Sequence, residues 1–221
     1  MEILIYSFLI TTNIIISDST VGSGTNGYFI ICSNYITFDG IDVETFSGST
    51  TGNLKMEFGY YLLNNSATNG TKKVSIKNCK ISLDRANNCI GIFQNVSTVP
   101  TSKFGTNSAN TFDNLTIENS FQGIYLNGNA TYLDDSIQIK NCFIGGNTAF
   151  DIGGGNLSNA CAGVWVINQK NCKIFNNTIK NVATINKADG IFVNGGYGIC
   201  EVYNNKITAI RNNGTASTQF A

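Results

Sequence analysis

Five aromatic residues, Tyr61, Phe93, Tyr125, Trp165 and Phe192, each stand two positions after a glycine in one recurring motif: GYYL, GIFQ, GIYL, GVWV and GIFV. Rings repeated in this way can bind. Flat aromatic faces pair with the C–H faces of pyranose rings, and an exposed apolar stripe usually marks a contact surface. These five are therefore the candidate ligand-binding residues, with a polysaccharide as partner. The competing reading is that they stack on one another under the long loops at 97–110 and 148–159 and only widen the core.

The chemistry of bond cleavage is harder to assemble. The chain has no histidine, which removes Ser-His-Asp and Cys-His catalysis and histidine-ligated metals. Its one Asp-Asp pair, Asp134-Asp135, reads as a loop ahead of a strand at 137–141. Asp151 and Asp189 are the acids best placed near the aromatic motif, and Arg85 and Arg211 are the only arginines. No column of the repeat carries acids in successive copies, so no catalytic residue, metal ligand or cofactor is assigned. The glycine-rich DIGGGN at 151–156 lacks the Lys-Ser/Thr of a phosphate-binding loop. Seven cysteines contain no C-x-x-C pair and are odd in number, against a zinc knuckle or a complete disulfide framework. Cys172 and Cys200 fall in one column of the repeat and read as a buried thiol stack.

The elements that must carry these residues are strands. The segments VSIKN, LTIEN, IQIKN, CKIFN and CEVYN share the pattern apolar-x-apolar-x-Asn, ending at Asn78, Asn119, Asn141, Asn176 and Asn204, and ITFDG at 36–40 is a sixth copy with glycine at the turn. Their turn residues are separated by 38, 41, 22, 35 and 28 positions, the irregular period of a solenoid with constant strands and variable loops. Period two sends the apolar residues inward and places Lys77, Glu118 and Lys140 in one outward charge column. Asn at the turn tolerates the left-handed backbone, and stacked amides can bond from coil to coil. The glycine motif, at spacings of 32, 32, 40 and 27, is a second strand of each coil. Its five rings would span about 19 Å at one strand spacing per coil.

Composition agrees. Of 221 residues, 42% are apolar, 13% are charged, 23 are glycine, 32 are asparagine and one is proline, as many short strands joined by turns require. Fourteen basic residues balance fourteen acidic ones, so no electrostatic footprint for nucleic acid or an anionic membrane is present. The opening MEILIYSFLITTNIII has an acid at position 2 and polar interruptions, which predict two short strands rather than a signal peptide or membrane span.

From Tyr28 through Ile210 the chain resembles the right-handed parallel β-helix repeat proteins of the pectin-lyase-like fold. The segments YITFDGIDV at 35–43, KNCKISLDRANNCIGIFQ at 77–94 and NCKIFNNTIKN at 171–181 carry the likeness and look like large secreted or surface proteins of bacteria. The expectation is an all-β, right-handed parallel β-helix of about six or seven coils. It forms one domain over 1–221, with an incomplete first coil or cap at 1–27, repeat coils at 28–211 and a truncated next coil at 212–221, as a fragment of a longer protein. The resemblance implies a non-catalytic extracellular scaffold or glycan-adhering rod. Its alternative is a polysaccharide lyase or, behind it, a hydrolase on an acidic polysaccharide. Only the lyase reading calls for Ca²⁺, held by clustered acids that the sequence does not assemble.

Overall fold

The computed structural model describes residues 14–18, 27–45, 56–154, 159–195 and 198–212. They form a parallel β-helix. Each coil passes through three sheets in turn, and every ladder between strands is parallel. The first sheet has six strands, the last five of which carry the glycine motif: Gly27–Ile31, Phe58–Leu63, Ile90–Asn95, Gln122–Asn127, Cys161–Ile167 and Ala188–Asn194. The second, ending at the asparagine turns, stacks Thr37–Asp39, Ser75–Lys77, Thr111–Asp113, Gln138–Lys140, Cys172–Phe175 and Cys200–Tyr203. The third has seven strands: Ile14–Asp18, Ile41–Thr45, Lys80–Ser82, Thr116–Glu118, Phe143–Ile144, Thr178–Thr184 and Lys206–Asn212. Six complete coils follow, preceded by one strand of the third sheet. Of the two strands expected at the start, Ile14–Asp18 is present, and residues 1–13 lie outside the described residues.

Inward columns from the three sheets fill the core. Ile76, Phe112, Ile139 and Ile174 from the asparagine sheet are fully buried, as are Ile81, Ile117, Ile144 and Ile179 from the third sheet. Tyr60, Ile92, Ile124 and Val164 complete the triangle from the glycine sheet. Burying a Leu- or Ile-sized side chain stabilises by roughly 1.5–3 kcal/mol, and repetition of that term in every coil holds the stack. In the sixth coil the equivalent Val202 and Ile207 are exposed, because no further described coil lies on them.

The asparagine column differs from expectation at one coil. LTIEN belongs to the third sheet, and the strand stacked between Ser75–Lys77 and Gln138–Lys140 is Thr111–Asp113. The turn residue of that coil is Asn114, so the separations become 38, 36, 27, 35 and 28. Both Asn114 and Asn119 adopt the left-handed conformation, at φ 52° and 50°, so the turn residue alone does not discriminate between them. The strand escaped the pattern because its inward residue before Phe112 is polar: Asn110, fully buried. The charge column is corrected with it. Asp113 takes the place expected for Glu118, giving ion pairs Lys77–Asp39 at 3.1 Å and Lys140–Asp113 at 3.3 Å, while Glu118 pairs with Lys80 on the third sheet. The turn amides do bond between coils: Asn114 Nδ2 donates to Asn78 Oδ1 at 2.8 Å, and Asn141 Nδ2 to Asp113 Oδ1 at 2.8 Å.

Asp134-Asp135 does not lie in the loop expected of it. This pair is a short strand, paired in register with Gln169–Lys170 at the corner between the glycine and asparagine sheets. Isolated bridges extend the corner down to Ser108 and Lys72. The corner carries an inward polar column of Thr71, Asn107, Asp134 and Gln169, all buried. Thr71 N donates to Asn107 Oδ1 at 3.0 Å, and Asn107 N donates to Asp134 Oδ1 at 2.9 Å. From the side, Gln94 Nε2 donates to Asp134 Oδ2 at 2.8 Å, and Asn110 Nδ2 donates to Gln94 Oε1 at 2.9 Å. Buried polar groups are tolerated when they satisfy one another in this way.

Candidate functional site

The five aromatic residues singled out in the sequence are brought into one column on the outer face of the glycine sheet. Tyr61 is in register with Phe93, Phe93 with Tyr125, Tyr125 with Trp165, and Trp165 with Phe192. The outward direction follows from alternation along each strand, where Tyr60 and Leu62 point in and are fully buried while Tyr61 between them is half-buried. Phe58 joins the stack, a ring that the motif alone did not flag, at 4.6 Å from Tyr61 and 5.2 Å from Phe93.

The orientation of the rings decides what they can do. Tyr61 and Phe93 lie 4.9 Å apart with planes 15° from parallel, and Phe93 and Tyr125 5.2 Å apart at 28°. Rings in this part of the column face each other, so their faces are engaged and their edges look outward. The pattern changes at Trp165, which makes 47° with Tyr125 and 64° with Phe192. All five rings are half-buried. The rings thus stack face to face from Phe58 to Tyr125 and turn tilted and edge-on at Trp165, whose indole Nε1 is buried without a hydrogen-bond partner.

Two residues beyond each ring, on the same outer face, runs the column Leu63, Asn95, Asn127, Ile167 and Asn194. Asn127 Nδ2 donates to Asn95 Oδ1 at 2.9 Å. Amides carry both donors and acceptors, so this column supplies hydrogen bonding beside the rings. On the other flank, in the position before each glycine, stand Phe58, Ile90, Gln122, Ala162 and Asp189. Among the described residues the strands of this face carry no charge in the second to fifth coils; in the sixth, Lys187 Nζ sits 3.9 Å from the Phe192 centroid and 2.9 Å from Asp189 Oδ2.

The acids and arginines weighed as catalytic groups are dispersed. Asp134 lies inside the core, and Asp135 pairs with Lys170 at 3.2 Å. Burial pushes the Asp134 carboxyl up to about 7, against the hydrogen bonds that Gln94 and Asn107 donate to it. Asp151 ties a turn together, accepting from Gly146 N at 2.6 Å, Thr148 Oγ1 at 2.7 Å and Asn119 N at 2.9 Å. Arg85 donates to the carbonyl of Phe150 at 2.8 Å, and Arg211 is exposed on the last strand of the third sheet. Among the described residues no group of three or more Cys, Asp or Glu side chains is gathered to hold a metal ion.

The cysteines are placed as the repeat requires. Cys79, Cys89, Cys142, Cys161 and Cys172 are buried free thiols, and Cys172 is in register with half-buried Cys200. Burial pushes Cys89, Cys142 and Cys161 up to about 12, as expected of inert packing thiols. No described helix is long and apolar enough to cross a membrane. Compared with protein-family models, with curated proteins and with solved structures, the chain gives no match.

Proposed function

We propose that the chain is a non-catalytic β-helix module, akin to the pectin-lyase-like repeats of secreted and surface proteins of bacteria, serving as a stiff rod that adheres to glycan through the outer face of its glycine sheet. The observation that carries this reading is the aromatic column with its amide border. Trp165 breaks the parallel stack, and Asn127 lies on the same face one coil before it. A sugar lying across this point would meet an indole for its C–H face and amides for its hydroxyls. The absence of charge on the glycine-sheet face of the third to fifth coils favours an uncharged glycan over a uronate.

The dispersal of Asp134, Asp151, Asp189 and Arg85 into packing and turn contacts supports the non-catalytic reading over that of a lyase. A lyase would need an Arg or Lys base beside acids that hold a metal against the uronate. Affinity electrophoresis in gels containing glucan, xylan, mannan or polygalacturonate tests the proposal. Retardation by a neutral polymer, lost in Trp165→Ala and largely kept in Phe93→Ala, is expected. Equal migration in every gel would reject adhesion, and release of unsaturated, ultraviolet-absorbing product from polygalacturonate would establish the lyase instead.

A further inference from the structure

We propose that Cys172 and Cys200 are a disulfide-forming pair that clamps the sixth coil of the rod to the fifth. Both project inward from neighbouring parallel strands of the asparagine sheet, directly opposite in register, with Lys173 against Glu201 and Ile174 against Val202 fixing the alignment beyond them. Adjacent strands lie about 4.8 Å apart, inside the span of roughly 4.4–6.8 Å that a disulfide requires between α-carbons. Parallel in-register side chains leave their β-carbons at about that same 4.8 Å, somewhat wider than the 3.5–4.5 Å of a relaxed bridge. The bond therefore forms with a small local contraction and remains reducible, as a reversible clamp rather than a permanent staple.

The two thiols are unequal in a way that suits exchange. Cys172 is fully buried, whereas Cys200 is half-buried on the last described strand of its sheet. The hydrogen bond from Cys172 draws the Cys200 thiol below its ordinary value, while the same contact, with burial, pushes Cys172 up. Cys200 is thus the thiol that meets an oxidant first. With a low-molecular-weight disulfide RSSR, the Cys200 thiolate attacks one sulfur and expels RS⁻, leaving a mixed disulfide. Cys172 then passes its proton to the departing RS⁻ and its sulfur attacks Cys200 Sγ, expelling the second RS⁻, which takes up the proton that Cys200 had released. Two thiols have become one disulfide, and the two electrons reside on two RSH. None of the other cysteines has a cysteine opposite it among the described strand pairings.

The test uses the full chain, reduced, freed of reductant and incubated folded with oxidised glutathione, then digested without reduction and mapped by mass spectrometry. A linked peptide joining Cys172 to Cys200 is expected, with glutathione only on the exposed Cys32. In Cys172→Ser, Cys200 should instead stay capped by glutathione, because the resolving thiol is gone. A wild-type chain in which Cys200 keeps its glutathione cap, or keeps a free thiol while Cys172 remains unlinked, would overturn the proposal. The wild-type map decides this without recourse to any variant that fails to fold.

Discussion

A β-carbon placed on Gly91 would stand 2.7 Å from Ile117 Cγ2, closer than two carbons can approach. The same relation recurs from coil to coil: Gly59 against Ile81 at 2.8 Å, Gly123 against Ile144 at 2.6 Å and Gly190 against Ile207 at 2.5 Å. The glycine opening each aromatic motif is thus the socket for the isoleucine that the third sheet sends inward. A hole in one column is filled by the branch of another, which ties the sheet that carries the rings to the sheet that ends each coil.

Replacing Gly91 by alanine should destabilise the fold by about 1–3 kcal/mol, the usual range for overpacking. The carbonyl of Gly123, 2.7 Å from the same point, adds to the obstruction. Ile117→Val keeps Cγ2 and should not relieve the clash, whereas Ile117→Ala removes it. Denaturant unfolding of the single and double variants should therefore show a favourable coupling between Gly91→Ala and Ile117→Ala that is missing with Ile117→Val.

Asp134 makes stability depend on pH in an unusual direction for a carboxylate. Its folded pKa is raised to about 7 from 3.8, so the folded state holds the proton more tightly than the unfolded chain does. The contribution is full below about pH 4 and is lost as pH rises through 7, a change of a few kcal/mol at most. Burial outweighs the hydrogen bonds that Gln94, Asn107 and the register partner Gln169 give the carboxylate. Unfolding free energies measured from pH 4 to 8 should fall toward neutrality in the wild type, and Asp134→Asn should flatten that fall.

At the turn of the third coil, Asn114 combines a left-handed backbone with an amide bond to Asn78. Asn114→Ala should cost roughly 1 kcal/mol or more, since alanine meets the left-handed penalty and loses the bond. Asn114→Gly should cost less, because glycine accepts the conformation freely. Thermal unfolding of the two variants checks the order, and a glycine variant no better than alanine would place the cost in the amide ladder instead of the backbone.

Much of this architecture was legible because its columns repeat one residue type. The glycines and rings of GIFQ, GIYL and GVWV gave the outer aromatic column without error in register, since a glycine socket cannot be replaced cheaply and so marks its place in the second to sixth coils. The asparagine column was misread where Asn110 stands inward in place of an aliphatic residue, hiding Thr111–Asp113 and promoting LTIEN from the next sheet. A polar residue is buried there because Gln94 and the Thr71 carbonyl receive its amide protons, and pairing across coils is invisible to alternation along one strand. The corner column escaped for the same reason. Thr71, Asn107, Asp134 and Gln169 each lie three positions before an inward residue of the asparagine sheet, yet no two share a residue type. The turn from stacked to edge-on rings at Trp165 depends on side-chain orientation, which spacing does not encode.

The contact proposed at Trp165 is tested most directly by its own fluorescence, since it is the only tryptophan in the chain. Titration of the protein with neutral polysaccharides should give a saturable shift in emission, weakened in Asn127→Ala and Phe192→Ala and missing with polygalacturonate. Emission unmoved by every polymer and unquenched by acrylamide would contradict it, showing Trp165 to be enclosed and the aromatic column to be packing along its whole length.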